Sequence, residues 1–272
     1  MLSGLVTAFR TLTILPVPGR NAEKLSSALP WFPLVGVLPG LLLYVPAVLL
    51  RLMPLWTVQP ALIAAIVLAG NCFLTRGLHL DGLADFADGF GGGRDKEKTL
   101  SIMKDPRVGA FGVIALIVVL IGKWSAYFAL ARCNSLSWII AALAVSRAVQ
   151  VHLAVSLPYA RAEGGTAGPF VDGATGTHRA LAWGLAALLC IAFCGPVGAV
   201  LIVPALLAAL LLGFWFRARV GGVTGDLLGA ASELTETGLL VLVALGGRFL
   251  AAFTGWVWLV KALYCAVRAA AG

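Results

Sequence analysis

Residues 108–131 read VGAFGVIALIVVLIGKWSAYFALA, and this stretch decides the fold class. Among its 24 residues, only Lys123 is charged. An α-helix needs about 20 consecutive, mainly apolar residues to cross the hydrocarbon core of a bilayer. The stretch meets that requirement, so it predicts a transmembrane helix.

Six further runs approach the same length and composition, at roughly 33–50, 56–75, 136–157, 180–197, 198–216 and 238–260. Across the chain 60% of residues are hydrophobic and 12% are charged, whereas soluble domains usually have about 25% charged residues. We therefore predict an all-α polytopic membrane helix bundle of about seven transmembrane helices, forming a single integral-membrane domain over residues 1–272. The fifth and sixth runs are short enough to form a tight hairpin at Gly195-Pro196.

The N-terminal segment is apolar from Leu2 to Leu15 but is interrupted by Arg10. No basic region precedes it, which argues against a signal peptide, and Pro16-Val17-Pro18 ends any helix. We predict an amphipathic interfacial helix on the membrane surface, followed by a polar linker, over residues 1–30.

Basic residues are distributed unequally if the chain has seven spans and a cytoplasmic N-terminus. Thirteen Lys and Arg residues then fall on the cytoplasmic side and four on the outside. This imbalance agrees with the positive-inside rule and predicts a multi-pass protein of the cell inner membrane with a cytoplasmic N-terminus. The net charge of +8 is accounted for in this way, so we expect membrane lipid and no nucleic acid as a partner.

All twelve acidic residues lie on that same predicted side. Apart from Glu23, they fall in segments 76–107, 158–179 and 217–237. Acidic residues contribute little to membrane topology, so topology alone does not explain the concentration. We predict that these three segments are cytoplasmic active-site loops, and that no acidic residue lies within a span.

The sequence HLDGLADFADG at residues 79–89 carries the strongest chemical signal. Asp81, Asp85 and Asp88 are spaced i, i+4 and i+7, which puts them on one face of a helix. Neighbouring carboxylates about 6 Å apart repel by about 3 kcal/mol at an effective dielectric constant of about 20. A bound cation would remove that repulsion, and hard oxygen ligands suit Mg²⁺. A solvated acidic helix face is the alternative interpretation.

A glycine-rich turn and a basic cluster follow this segment. The turn is Gly91-Gly92-Gly93, and the cluster comprises Arg94, Lys96, Lys98, Lys104 and Arg107. Backbone N–H groups and cations suit phosphate oxygens. Beside a magnesium site we favour phosphate binding over a lipid-headgroup contact. Asp105 is either a further ligand or base, or a helix cap before Pro106.

A second acidic segment, GGVTGDLLGAASELTE, occupies residues 221–236. Asp226 and Glu233 are seven residues apart and share a helix face, and Glu236 lies one turn further on. The predicted topology brings this segment to the same surface as Asp81. A second metal or proton-accepting site and acids that complement a helix dipole both fit. His79 lies about 160° from the aspartate face on a continuous helix, so its spacing favours a structural histidine.

Together these motifs resemble the cobalamin synthase family, the adenosylcobinamide-GDP ribazoletransferases, over nearly the whole chain. Besides the two acidic segments, the resemblance includes LTILPVP at 12–18, IMKD at 102–105, GAFG at 109–112, and YAR at 159–161 with Glu163-Gly164. Three positions depart from the usual pattern: Ile14 stands in place of arginine, Arg76 in place of glycine and Pro106 in place of serine.

The resemblance implies a Mg²⁺-dependent transferase that acts late in cobalamin biosynthesis. A hydroxyl of α-ribazole or α-ribazole 5′-phosphate attacks the phosphate attached to cobinamide in adenosylcobinamide-GDP, and GMP leaves. Asp81, Asp85 and Asp88 would hold the metal and, with Asp226, would be catalytic. The implied substrate-binding residues are His79, Lys104, Asp105, Arg107, Arg161, Glu163, Thr224, Glu233 and Glu236. A homo-oligomer is compatible with this interpretation.

Two other functions fit parts of the sequence. CDP-alcohol phosphotransferases also place spaced aspartates at a helix end, but in their pattern D-G-x₂-A is followed by arginine. Here Asp81-Gly82-Leu83-Ala84 is followed by Asp85, and the subsequent G-x₃-D-x₃-D spacing is missing. A transporter would need acidic residues or broken helices near the bilayer midplane, and the predicted spans contain no acid.

Overall fold

The chain folds almost entirely into α-helices, as seen in a computed structural model that describes residues 2–52 and 59–255. The described part contains two 3-10 segments, Leu25–Trp31 and Pro196–Leu201, and no β-strand beyond one isolated bridge. Its α-helices are α1 (Leu2–Leu12), α2 (Phe32–Leu52), α3 (Pro60–Leu74), α4 (Leu78–Gly92), α5 (Lys96–Ile102), α6 (Ala110–Arg132), α7 (Ser137–Ser156), α8 (Gly168–Asp172), α9 (Gly176–Cys194), α10 (Ile202–Val220) and α11 (Gly225–Phe253).

Six helical segments of the described chain are long and apolar enough to cross a membrane. They are α2, α6, α7, α9, α10 and α11, with α2 and α10 each extended by the preceding 3-10 segment. The prediction of an all-α polytopic bundle is therefore confirmed. A seventh span is present if α3 and the following helix α4 are counted together as one bent span. Residues 56–58 of the predicted second span and 256–260 of the predicted last span lie outside the described residues.

Helix α3 is short, and α4 turns sharply away from it. α3 has 15 residues, and its axis makes an angle of 86° with that of α4. The turn between them uses left-handed backbone at Arg76, with φ of 54°, and at Gly77, with φ of 65°. Left-handed backbone favours glycine, which is the residue that the resemblance leads us to expect at position 76. Here the Arg76 guanidinium donates to the carbonyl oxygen of Arg10 at 3.2 Å.

Helix α7 occupies the centre of the bundle and is buried on every side over most of its length. Its residues are mainly small or apolar, as expected for a helix without a solvent face. α2 packs on it through Gly36 and Gly40: a Cβ atom on Gly36 would lie 2.6 Å from the Leu143 carbonyl oxygen. Small residues permit such close helix contacts inside membranes.

The outer faces of α6 and α10 expose large apolar side chains. They include Val113, Ile114, Ile117, Val118 and Ile121 on α6, and Val203, Leu207, Leu210, Leu211 and Phe214 on α10. Soluble monomers rarely expose contiguous apolar surfaces of this kind. Contact with lipid accounts for these faces and agrees with a multi-pass membrane protein.

Two of the predicted loops contain the start of a helix. α10 ends at Val220 and α11 begins at Gly225, so only residues 221–224 of the predicted loop 217–237 are non-helical. Thr224 starts the helix, since its hydroxyl accepts a hydrogen bond from the N–H of Leu227 at 3.2 Å. Likewise, α9 begins at Gly176, within the predicted loop 158–179.

Candidate active site

Helix α4 crosses the start of α11 so closely that the two backbones touch. A Cβ atom on Gly82 would lie 2.6 Å from the carbonyl oxygen of Asp226, so a larger residue there would force the helices apart. The crossing places Asp81 and Asp85 beside Asp226. The structure thus brings together the two acidic segments of the sequence.

Three carboxylates share this crossing with one guanidinium, and we call Asp81, Asp85, Asp226 and Arg161 the acid centre. Helix α4 is not one of the six spans. Burial, followed by the carboxylates of Asp226 and Asp81, raises the pKa of Asp85 to about 7, although Arg161 opposes the shift. A bound cation would reverse this effect. Mg²⁺ is commonly held by one or two carboxylates together with phosphate oxygens, so these residues fit that ion.

Asp88, the third aspartate on this face of α4, makes its hydrogen bonds outside the acid centre. Its two carboxylate oxygens accept hydrogen bonds from the N–H groups of Gly109, at 2.6 Å, and Gly112, at 2.9 Å. These groups belong to the N-terminal turn of α6, whose dipole favours a negative charge. As the side chains stand, no three His, Cys, Asp or Glu residues of the described chain converge into a metal-ligand set. A metal role for Asp88 stays a prediction, and its observed contacts are those of a helix cap.

Arg161 reaches Asp226 because two loops are tied together. The N–H of Ala160 donates to Val223 O, and the N–H of Val223 donates to Pro158 O, each at 2.9 Å. This bridge aligns the two loops so that the Arg161 guanidinium lies 2.7 Å from Asp226 Oδ2. Thr224, a predicted substrate-binding residue, caps α11 in the same loop, with its hydroxyl 3.4 Å from the same carboxylate oxygen.

The remaining predicted substrate-binding residues of the loops form two exposed ion pairs. Lys104 pairs with Glu163, which links the segment before α6 to the loop that carries Arg161. Arg107 pairs with Asp105 at 2.7 Å. Hydrogen bonds from Arg107 lower the pKa of Asp105 to about 2. The Arg107 side chain is 87% exposed, so it is accessible to an incoming phosphate.

His79 is buried at the same crossing, where it lines a cavity of about 280 Å³ together with Asp81, Asp226 and Gln150. Neither of its ring nitrogens has a hydrogen-bond partner among the described residues. The structural role that its spacing favoured would leave both nitrogens unpaired. A place for His79 in substrate binding stays a prediction.

Comparisons with known proteins show the family of the chain. The family model for cobalamin-5-phosphate synthase matches residues 4–244. The chain therefore belongs to the cobalamin-5-phosphate synthase family. One similar protein, the adenosylcobinamide-GDP ribazoletransferase of Chlorobium phaeovibrioides (strain DSM 265 / 1930), is 48% identical over 92% of this chain and 100% of its own length. The protein of that name from Chlorobaculum parvum (strain DSM 263 / NCIMB 8327) is 47% identical over 90% of this chain and 96% of its own. No solved structure matches the chain.

Within the part of the chain matched by the cobalamin-5-phosphate synthase family, Glu233 and Glu236 lie apart from the acid centre. They are 3% and 0% exposed, and Lys123 Nζ lies 2.5 Å from a Glu233 oxygen and 2.7 Å from a Glu236 oxygen. Because Lys123 stands near the middle of α6, the prediction that no acid lies within a span is wrong. Glu233 and Glu236 lie two or more turns beyond the start of α11, inside the bundle. There they neutralise the buried Lys123 and do not face substrate.

Several residues that complete this interior network escaped the sequence interpretation. Asn71 donates to Glu236 at 2.8 Å and to the Tyr127 hydroxyl at 3.2 Å, and Arg147 lies 3.9 Å from Glu236. The signal was present, because an intramembrane Lys or Arg requires an anionic partner. Gln150, whose amide donates to Leu228 O at 3.3 Å, carried no comparable signal.

Proposed function

We propose that this chain is an adenosylcobinamide-GDP ribazoletransferase. It transfers the adenosylcobinamide-phosphate group from adenosylcobinamide-GDP to α-ribazole or α-ribazole 5′-phosphate and releases GMP. The observation that carries the proposal is the crossing of α4 with α11, which brings Asp81 and Asp85 beside Asp226, the residue paired with Arg161. The relatives described above carry the name of this activity, and none is named for CDP-alcohol transfer.

The reaction replaces a phosphoanhydride bond by a phosphate ester bond. A ribazole hydroxyl oxygen bonds to the phosphorus that carries cobinamide, and the bond from that phosphorus to the bridging oxygen breaks. GMP leaves with that oxygen, and the hydroxyl proton passes to a carboxylate. Such transfers depend on positioning and charge neutralisation more than on covalent protein chemistry.

The acid centre supplies groups for each part of this task. Asp81 and Asp85 would hold Mg²⁺, which when bound supplies positive charge against the diphosphate. Asp226 would accept the hydroxyl proton, and Arg161, adjacent to it at 2.7 Å, would contact the phosphate oxygens. Lys104 and Arg107 lie on accessible loops of the same region, where they would bind the outer phosphates.

We also propose that the site faces the cytoplasm from the inner membrane, with α1 on the membrane surface. The excess of Lys and Arg in the segments around the acid centre supports this orientation. In a cysteine-free background, a single cysteine placed at Ser101, an exposed position on α5, would resist a membrane-impermeant thiol reagent in intact cells. Labelling from outside would contradict the orientation.

The activity is tested with the purified chain in lipid nanodiscs. Adenosylcobinamide-GDP and α-ribazole are supplied with Mg²⁺ or with a chelator, and GMP is measured chromatographically. We expect GMP to appear only when both substrates and Mg²⁺ are present. Release of CMP from a CDP-alcohol under the same conditions, with no GMP from adenosylcobinamide-GDP, would contradict the proposal. GMP formation that persists in the chelator would contradict the metal requirement alone.

A further inference from the structure

The cavity beside the acid centre has an apolar wall and a polar floor. Its volume of about 280 Å³ is near the lower end of the roughly 300–1,000 Å³ usual for small-molecule sites. Apolar side chains on its wall are those of Leu12, Leu29, Phe32, Leu78, Phe170 and Leu228. Such a wall suits a flat, largely apolar ring system rather than a phosphate or a sugar.

Two buried polar side chains in the cavity have atoms without hydrogen-bond partners. His79 is 1% exposed, and both of its ring nitrogens are unpaired. Gln150 is 3% exposed, and its Oε1 has no hydrogen-bond partner among the described residues. Buried polar groups in folded proteins are almost always hydrogen-bonded. Two unpaired groups that line one cavity therefore indicate a ligand that carries a matching polar atom.

The two ends of the cavity differ in their exposure to solvent. His79 and Gln150 are fully buried, whereas Asp81 is exposed and the Asp226 side chain is 26% exposed. All four line the same space. A ligand whose apolar ring lies beside His79 and Gln150 would thus place its other end at Asp81 and Asp226, where phosphoryl transfer is proposed.

We propose that this cavity binds the benzimidazole base of α-ribazole, with the N–H of His79 donating a hydrogen bond to the ring nitrogen that bears no sugar. The inference rests on the function proposed above and assigns one of its two substrates to a place. Benzimidazole is planar and apolar apart from that single acceptor, and its ribose would extend to Asp226, where the attacking hydroxyl loses its proton.

The other large groups in the reaction fit this cavity less well. Guanine presents several donors and acceptors along two edges, and most of them would face the apolar wall formed by residues such as Phe32 and Phe170. Burying polar groups without partners is unfavourable. A corrin ring with its amide side chains is too large for this volume. The free acceptor of benzimidazole matches the one N–H that a neutral His79 ring can donate, and Gln150 Oε1 would accept from a hydroxyl of the attached ribose.

The experiment compares two acceptor substrates on the full-length chain in nanodiscs, the α-ribofuranosides of benzimidazole and of indole. Indole has the same shape but lacks the free ring nitrogen. With saturating adenosylcobinamide-GDP, we expect kcat/KM to be about tenfold higher for the benzimidazole riboside, in line with one hydrogen bond. His79→Phe should remove this preference and leave the KM for adenosylcobinamide-GDP unchanged.

His152→Phe is the matched control. His152 also lies on a buried helix, but it accepts a hydrogen bond from Trp183 at 3.2 Å and does not line the cavity. This variant should keep the tenfold preference. Equal kcat/KM for the two ribosides in the unmodified chain would overturn the inference without any variant. A rise in the KM for adenosylcobinamide-GDP in His79→Phe, with the riboside preference intact, would assign the cavity to the other substrate and also overturn it.

A binding measurement separates this inference from the proposed function. Calorimetric titration of the two ribosides, with no adenosylcobinamide-GDP, requires no turnover. Preferential binding of the benzimidazole riboside without GMP formation in the assay would support the cavity assignment and contradict the function. GMP formation without any preference between the ribosides would support the function and contradict the assignment.

Discussion

Helix α11 carries two kinds of acidic residue, and their surroundings differ in charge balance. At its start, Asp226 belongs to the acid centre, in which three carboxylates face one guanidinium. Two turns further on, Glu233 and Glu236 belong to a buried charge network with Lys123 and Arg147, in which two carboxylates face two cations.

The comparison distinguishes the candidate active site from a charge network that stabilises the bundle. The buried network is neutral in itself, as the low dielectric of a membrane interior demands, and it joins α6, α7 and α11. The acid centre carries an excess of negative charge at a position that water reaches. An unbalanced cluster of this kind gains free energy from an incoming cation, whereas the balanced network gains nothing. We therefore expect the chemistry at the end of this helix that carries the excess charge.

The largest expected effect on stability comes from unbalancing the buried network. Lys123→Met leaves two buried carboxylates with only Arg147 nearby, and breaking a buried ion pair typically costs about 3–5 kcal/mol. We expect a strongly lowered Tm in detergent and poor accumulation in membranes. The double variant Lys123→Met/Glu236→Gln restores neutrality and should recover much of the loss. A Lys123→Met protein as stable as the unmodified chain would show that the network contributes little to the fold.

Removing a charge from the acid centre should have the opposite effect: activity should fall and stability should not. Asp85→Asn should lower GMP formation by about hundredfold or more, because a group that contacts the metal or phosphate is lost. Its Tm without metal should not fall, because mutual repulsion is relieved. Asp105→Asn is the matched control for charge removal outside the centre. Turnover near that of the unmodified chain in Asp85→Asn would make a solvated acidic face the better account of the stripe.

The pH dependence of stability sharpens this prediction. The folded pKa of Asp85, about 7, is raised above its ordinary value, so the folded chain holds this proton more tightly than the unfolded chain. The metal-free protein should therefore lose stability as the pH rises from about 4 to about 7. Asp85→Asn should reduce that slope. An identical pH profile for both proteins would contradict the raised pKa.

A smaller effect is expected at Asp88, which caps α6 although it shares a helix face with Asp81 and Asp85. Asp88→Ala removes two hydrogen bonds from the first turn of α6 and should cost about 1–2 kcal/mol. Gly112→Ala tests the same cap from the other side, because its Cβ would lie 2.5 Å from Asp88 Oδ2. The two losses should not add, since each disrupts the same contact.

Activity decides whether Asp88 is also a ligand. If it serves only as a cap, Asp88→Ala should retain turnover within a few-fold of Gly112→Ala. A loss as large as that of Asp85→Asn, in a protein whose Tm is only slightly lowered, would return Asp88 to the metal site that the sequence pattern predicted.

The same contrast explains which features were predictable from sequence. Hydropathy and helical periodicity are local properties, so the spans and the helix that carries Asp81 and Asp85 follow from the residues themselves. The partners of Asp88 and Glu236 are not local, because Gly109 and Lys123 come from another helix. Spacing alone could not reveal that the third aspartate of the stripe caps α6. Nor could it show that a carboxylate lies inside a span when a neighbouring helix supplies a cation.

The smallest effect is expected at Asp105, an exposed acid that lies outside both groups. Its carboxylate accepts hydrogen bonds from Arg107, yet the pair is exposed to solvent, and exposed ion pairs contribute little because water and salt screen them. Asp105→Asn should leave Tm unchanged in low and high salt. It frees Arg107 for phosphate, so the KM for adenosylcobinamide-GDP should stay the same or fall slightly. Arg107→Gln is the companion variant and should raise that KM modestly if Arg107 binds phosphate. A loss of turnover in Asp105→Asn comparable to that of Asp85→Asn would place Asp105 in the acid centre, and the boundary drawn here between the two groups would have to move.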